Sequence, residues 1–255
     1  MADNNMHMTP APDPAGETGA QATQSRTVDA GRGWNWITEG FDLFKKQPGM
    51  WILLILGAGL ITIVLALIPV LGSLATVLLF PLLGGGFMLG CRALEQDGQL
   101  EIDHLFAGFK QNTGSLVVLG AINLAVSVAI VLVMIAIIGT GAVFALMKGD
   151  AAGTDASIVS IALAALLAVG ISVPLYMAVW FAPALVVLDG AAPIEALKAS
   201  FFACLKNMLP FTVYGIVLMI FCIIAMIPLG LGFLLLGPVI IASIYTSYRD
   251  IFSAA

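Results

Sequence analysis

Glu101, Asp103 and His104 are the one place in this chain where acidic and basic side chains gather closely enough to suggest catalysis. Carboxylates beside an imidazole are the materials of acid–base chemistry. A hydrolase also needs a nucleophile or a metal, and a third group to orient the base. Neither accompanies the cluster. His7 falls in a low-complexity N-terminal stretch, and Cys91, Cys204 and Cys222 lie in or beside apolar segments without metal-ligand spacing. The cysteines read as small buried hydrophobes. Asp103 is expected to support a helix start and His104 to be an interfacial side chain. The sequence therefore predicts no catalytic residue, no metal and no cofactor, and the protein is read as not an enzyme.

Two other sets could bind rather than react. Asn123, Tyr176 and Trp180 place polar atoms inside apolar runs, with Pro174 nearby. Tyr176 sits one helical turn from Trp180 on the same face. One reading is a small cavity beside a Pro174 kink that accepts a lipid or small amphiphile. The other, which such residues serve more often, is hydrogen bonding between helices. The second set is Trp34, Trp36, Phe41, Phe44, Lys45, Lys46, Lys110, Lys198 and Lys206, read as a lipid interface. Lysines at a headgroup surface gain about 1 kcal/mol each from anionic lipids, and they also anchor topology.

Composition says what kind of element holds these side chains. The chain has 255 residues, 60% hydrophobic and 10% charged, with a mean hydropathy of +1.06. Soluble domains carry roughly 25% charged residues, so the deficit points to a membrane protein. No basic face suits a nucleic acid. Residues 1–30 lack apolar periodicity and are expected to form a disordered cytoplasmic tail. They do not resemble a signal peptide, so the first membrane helix is expected to act as an uncleaved insertion signal.

Residues 31–252 are expected to form a single transmembrane domain. Charge-free runs over 47–91, 111–147 and 207–248, with the apolar stretch ending at Leu188, predict six spans: about 51–68, 74–91, 116–138, 158–188, 211–228 and 231–248. Turns are expected at Ile68–Ser73 and Ile227–Gly230. The 111–147 run is read as one tilted helix, the alternative being a helix plus a surface segment. Pro174 and Pro183 are expected to bend the fourth span. Gly84, Gly85, Gly86 and Gly90 suit close helix packing better than phosphate binding, which needs a preceding strand.

Amphipathic interfacial helices are predicted at about 34–46, 101–110 and 193–207. Their stripes are Trp34/Ile37/Phe41/Phe44, Ile102/Leu105/Phe106/Phe109 and Ile194/Leu197/Phe201/Leu205/Met208. Each precedes a pair of spans, which suggests a threefold repeat of helix-plus-hairpin units. Of ten Lys and Arg residues, all but Lys148 fall on the side of both termini, so both termini are expected in the cytoplasm.

The motif Gly33-Trp34-x-Trp36-Ile37 with Gly40-Phe41-x-Leu43-Phe44-Lys45 resembles a family of uncharacterised multi-pass inner-membrane proteins of proteobacteria. Phe181-Ala-Pro183-Ala-Leu-Val-Val-Leu-Asp189-Gly190, with Glu195-Ala-Leu-Lys198-x-Ser200-Phe201, is similar to a broader group. That group includes membrane domains attached to some glycerophosphodiester phosphodiesterases. The resemblance covers roughly residues 30 to 250. It implies a bacterial inner-membrane location and a six-helix bundle, and carries no catalytic residues, since the phosphodiesterase chemistry belongs to a separate soluble domain.

The sequence thus predicts an all-α, polytopic membrane protein of six transmembrane helices. Its expected function is to organise lipids or partner proteins at the cytoplasmic leaflet. The expected partners are membrane lipids and either a second copy or another membrane protein. The alternative is a passive transporter, flippase or export component for a small or lipidic substrate.

Overall fold

The computed structural model describes residues 24–147 and 154–252, and every regular element among them is helical. The predicted tail up to residue 23, with His7, lies outside the described residues, as does Lys148. The helices run α1 (Arg32–Lys46), α2 (Pro48–Ala66), α3 (Leu71–Glu95), a 3₁₀ helix (Ile102–Phe109), α4 (Thr113–Met147), α5 (Thr154–Trp180), α6 (Ala182–Asp189), α7 (Pro193–Lys206), α8 (Met208–Met226) and α9 (Phe233–Phe252).

Five stretches are long and apolar enough to cross a membrane: Pro48–Ala66, Leu71–Glu95, Thr113–Thr140, Val159–Asp189 and Met208–Met226. α9 occupies the place of the sixth predicted span. Its first half is apolar, while its last turns carry Ser247, Arg249 and Asp250 and turn inward. The turns fall where Pro and Gly forecast them. Val70 takes φ 61° between α2 and α3, and Leu229 and Gly230 take 54° and 82° between α8 and α9.

The 111–147 run forms one helix, α4, of 35 residues. At about 1.5 Å per residue it is roughly 52 Å long, well beyond a hydrocarbon core of about 30 Å. The fourth predicted span divides in two. α5 ends at Trp180, and α6 restarts with Pro183 in its first turn, where a missing N–H costs nothing. Ser200 of α7 holds the break. Its Oγ accepts from Phe181 N at 2.9 Å and donates to Met177 O at 2.7 Å, replacing the helical bonds lost there.

Packing is concentrated at one end. Trp36, Trp51, Leu94, Leu100, Leu116, Phe181, Leu185, Ser200 and Asn207 are buried among α1, the ends of the long helices, and α6 and α7. Further along, the helices splay. None of the most apolar window of α4 is buried.

Two predicted surface helices sit differently from their hydrophobic patterns. On α1, the buried face is Gly33, Trp36, Ile37, Gly40, Leu43 and Phe44, while Trp34 and Phe41 are exposed. A Cβ on Gly40 would stand 2.7 Å from Ser243 N, and one on Gly33 2.8 Å from Tyr214 N. The two glycines let the α1 backbone touch α8 and α9, and that contact defines the inner face. Hydropathy cannot register a glycine as a contact. The second predicted helix is 3₁₀, with three residues per turn. Its row Leu105–Gly108 is buried against α3, and Phe106 and Phe109 are exposed on another row. Gly86, Gly90 and Gly108 make room for it: a Cβ on Gly86 would overlap His104 O, and one on Gly108 would overlap Leu82 O. The glycine cluster serves close packing, as expected, and its partner is this short helix.

Candidate functional site: a charged layer and its cleft

The packed end carries a continuous charge network that joins distant parts of the chain. Asp250, near the end of α9, receives Arg26 Nη2 at 2.8 Å on Oδ1, and Arg32 Nε at 2.6 Å and Trp36 Nε1 at 2.8 Å on Oδ2. Burial opposes the charge, but the hydrogen bonds from Arg32, Trp36 and Arg26 outweigh it and hold the Asp250 carboxyl below the usual aspartate range. Arg32 continues to Glu39 at 3.0 Å, Glu39 to Arg249 at 3.2 Å, and Arg249 to Glu95. The other oxygen of Glu95 accepts from the Tyr245 hydroxyl at 2.5 Å.

Asn207, fully buried between α7 and α8, extends the layer. Its Oδ1 accepts from Val28 N and its Nδ2 donates to Arg26 O, both at 2.9 Å. Residues 24–30 were expected to belong to the tail, yet Arg26 and Val28 are held against α8 and α9 by these bonds. Lys46 donates to Leu94 O at 2.7 Å and meets Asp97 at 3.2 Å.

Beside this layer lies a cleft of about 370 Å³ between α3 and the 3₁₀ helix. Its α3 wall is Leu89, Arg92, Ala93 and Gln96, at i, i+3, i+4 and i+7. Its other wall is Glu101, His104, Ala107 and Lys110, spaced by three as one row of a 3₁₀ helix requires, with Asp103 and Gln111 at the edge. Glu101 caps the 3₁₀ helix, and its own N–H donates to His104 Nδ1 at 3.0 Å. Lys110 pairs with Asp103 at 2.8 Å, and this contact holds the Asp103 carboxyl below its ordinary range. Arg92 Nη1 reaches Leu188 O at 3.5 Å and lies within electrostatic reach of the Asp189 carboxyl, which Tyr248 also contacts. Asp103 was expected to support the helix start and His104 to be an interfacial side chain; instead the His104 ring closes the cap and Asp103 pairs with Lys110, and both line the cleft.

The residues expected to bind lipid divide. Trp34, Phe41, Lys45, Lys46, Lys110, Lys198 and Lys206 are exposed. Trp36 is fully buried and Phe44 is 6% exposed, so both belong to the interior and not to the lipid face. Their side of α1 is the one the glycines press against α8 and α9. The expected cavity residues do not converge. Tyr176 is 70% exposed, Trp180 packs against Phe211 and Tyr214, and Asn123 is half-buried on α4. Pro174 is itself exposed. Buried between α8 and α9, Tyr214 and Ser243 instead share a hydrogen bond of 2.7 Å. Cys91 and Cys204 are buried free thiols, as their apolar settings implied, while Cys222 is only half-buried.

Arg26, Arg32, Glu39, Glu95, Arg249 and Asp250 went unrecognised as a unit. One signal was present in the sequence: Glu95 and the Arg249-Asp250 pair stand just beyond charge-free runs, where an acid beside the topology-setting bases needs a partner.

Comparison with known proteins fits this picture. Over 197 residues the chain is 32% identical to the Probable inner membrane protein BTH_II0599 of Burkholderia thailandensis, covering 74% of this chain and 73% of that one. No solved structure gives a significant match. Residues 49–251 match the family model described as a domain of unknown function, DUF7847. That match runs from the first turn of α2 to the end of α9, leaving α1 outside it, and this multi-pass membrane protein belongs to the DUF7847 family.

Proposed function

We propose that the protein is a non-enzymatic component of the bacterial inner membrane that organises lipids, or a partner membrane protein, at the cytoplasmic leaflet. The observation that carries this reading is the uneven packing. The chain is locked together at its charged end, while α4 leaves its most apolar window wholly unburied. A membrane protein built this way offers lipid or a partner a large apolar surface fixed to a rigid polar base.

Six crossings, with both described ends of the chain on the cytoplasmic side, belong to the same proposal. Arg26 and Asp250 touch, so the chain between them returns to the side from which it set out. Such a path crosses the bilayer an even number of times. Five stretches qualify by length and apolarity, and α9 supplies the sixth. The excess of Lys and Arg on that side favours the cytoplasm. A surface helix ahead of each helical pair also suits a threefold unit, the middle one altered by its 3₁₀ geometry and by α6. The likeness to phosphodiesterase-attached membrane domains rests on the Phe181–Gly190 motif, whose break and restart Ser200 holds.

Extraction of the native-level protein with its surrounding lipids, followed by mass spectrometry of what accompanies it, tests the reading. A lipid class or a protein retained in fixed ratio supports it. Recovery of the bare chain with bulk lipid composition overturns it. The transporter reading gains no support from Tyr176, whose side chain faces outward.

A further inference from the structure

The cleft between α3 and the 3₁₀ helix carries both signs of charge within one small space. Arg92 and Lys110 offer cationic donors. His104 uses Nδ1 to accept from Glu101 N, so in the neutral ring the proton sits on Nε2, which can donate. Glu101 and Asp103 offer carboxylates. No Phe, Tyr or Trp ring is among its lining residues, so it lacks the cage that suits a quaternary ammonium. The Asp103–Lys110 pair is exposed and costs little to open. The same 3₁₀ helix leaves Ile102, Phe106 and Phe109 exposed, which puts the cleft where acyl chains meet headgroups.

We propose that this cleft binds the headgroup of an amine-bearing zwitterionic phospholipid. The phosphate lies against Arg92, Lys110 and His104 Nε2, and the primary ammonium against Glu101 and Asp103. Arg92 is positioned for this by Leu188 O and by Asp189 behind it. A phosphatidylglycerol headgroup has no cation for the two acids, and a choline headgroup has no N–H to give them. This inference rests on the membrane-surface reading above and names the lipid class it concerns.

The test uses the full chain in nanodiscs holding equal parts of phosphatidylethanolamine, phosphatidylglycerol and phosphatidylcholine, released into native mass spectrometry. Phosphatidylethanolamine should be retained preferentially. Arg92→Gln and Lys110→Gln should each weaken retention about fivefold, the effect of one basic residue at a headgroup surface. Ala107→Met fills the cleft without touching a charge and should reduce retention while the thermal midpoint stays near the parent's. Gly59→Ala, where nothing lies within 4 Å of the added Cβ, should leave the preference unchanged. Displacement of the bound lipid by soluble phosphoethanolamine supports the headgroup site. Equal displacement by inorganic phosphate overturns it, because the acids then play no part. Retention of lipid in fixed ratio but without headgroup preference, unchanged in all cleft variants, overturns the cleft proposal and leaves the organising reading standing. Retention of neither lipid nor partner removes both.

Discussion

Arg26 and Asp250 form an ion pair of 2.8 Å between residues 224 positions apart, closing the described chain on itself at the charged end. Asp250 is 7% exposed at its side chain and Arg26 49%. The two partners are therefore unequal. Asp250→Ala strands Trp36 Nε1, leaves Arg32 with Glu39 alone and removes the Arg26 ion pair, and should destabilise by about 2–4 kcal/mol, near the range for breaking a buried pair. Arg26→Gln should cost no more than about 1 kcal/mol, as exposed pairs do. Thermal unfolding in detergent, read by tryptophan fluorescence, measures both.

The same carboxylate sets a pH dependence. Hydrogen bonds hold Asp250 below the usual aspartate range in the folded protein. As pH falls past about 3.9, the unfolded chain takes up a proton that the folded chain resists. Stability from this group is therefore fully present above that range and is lost as pH drops through the folded value. The thermal midpoint should fall below about pH 4 in the parent, and the Asp250→Asn variant should show a smaller fall.

Gly40 and Gly59 should respond oppositely to alanine. A Cβ on Gly40 meets Ser243 N at 2.7 Å, whereas nothing lies within 4 Å of one on Gly59. Gly40→Ala should destabilise by about 1–3 kcal/mol through forced separation of α1 and α9. Gly59→Ala should be neutral or slightly stabilising. Equal midpoints for the two variants would count against the close contact.

Ser200→Ala removes the group that terminates α5 and steadies α6. It leaves Phe181 N–H without its side-chain partner in a buried site, which costs about 1–3 kcal/mol. Hydrogen exchange should show faster loss of protection around Phe181 than in α4, where no such contact exists. Uniform protection would sink this account.

Trp34→Ala and Trp36→Ala separate what the sequence revealed from what it hid. Trp36 is fully buried and its loss should cost about 3–5 kcal/mol, while Trp34 is 47% exposed and its loss should leave unfolding nearly unchanged. Denaturant titration of both variants decides it. Both tryptophans lie on the same amphipathic helix, and hydropathy chose Trp34 for the apolar stripe. Long apolar runs, proline turns and the single α4 helix were legible, because a bilayer demands them in consecutive residues. The inner face of α1 was not, because Gly33 and Gly40 define it by lacking a side chain. The 3₁₀ period of residues 102–109 hid the cleft row, since a reading at 3.6 residues per turn carries Lys110 to the face opposite Glu101. The charge network was invisible for another reason: its partners lie at opposite ends of the sequence.

That separation also fixes an order of events during synthesis. The bonds from Arg26, Arg32 and Trp36 to Asp250 span 224, 218 and 214 residues. All three donors leave the ribosome well before their acceptor, which waits on the synthesis of α9. The hydrophobic hairpins must therefore be handled by the insertion machinery while the base that will hold them together is still open. A nascent chain halted before Asp250 has every earlier membrane stretch and the Asn207 contacts but lacks this acceptor, so the three donors stay unpaired with it until the last turn of α9 is made.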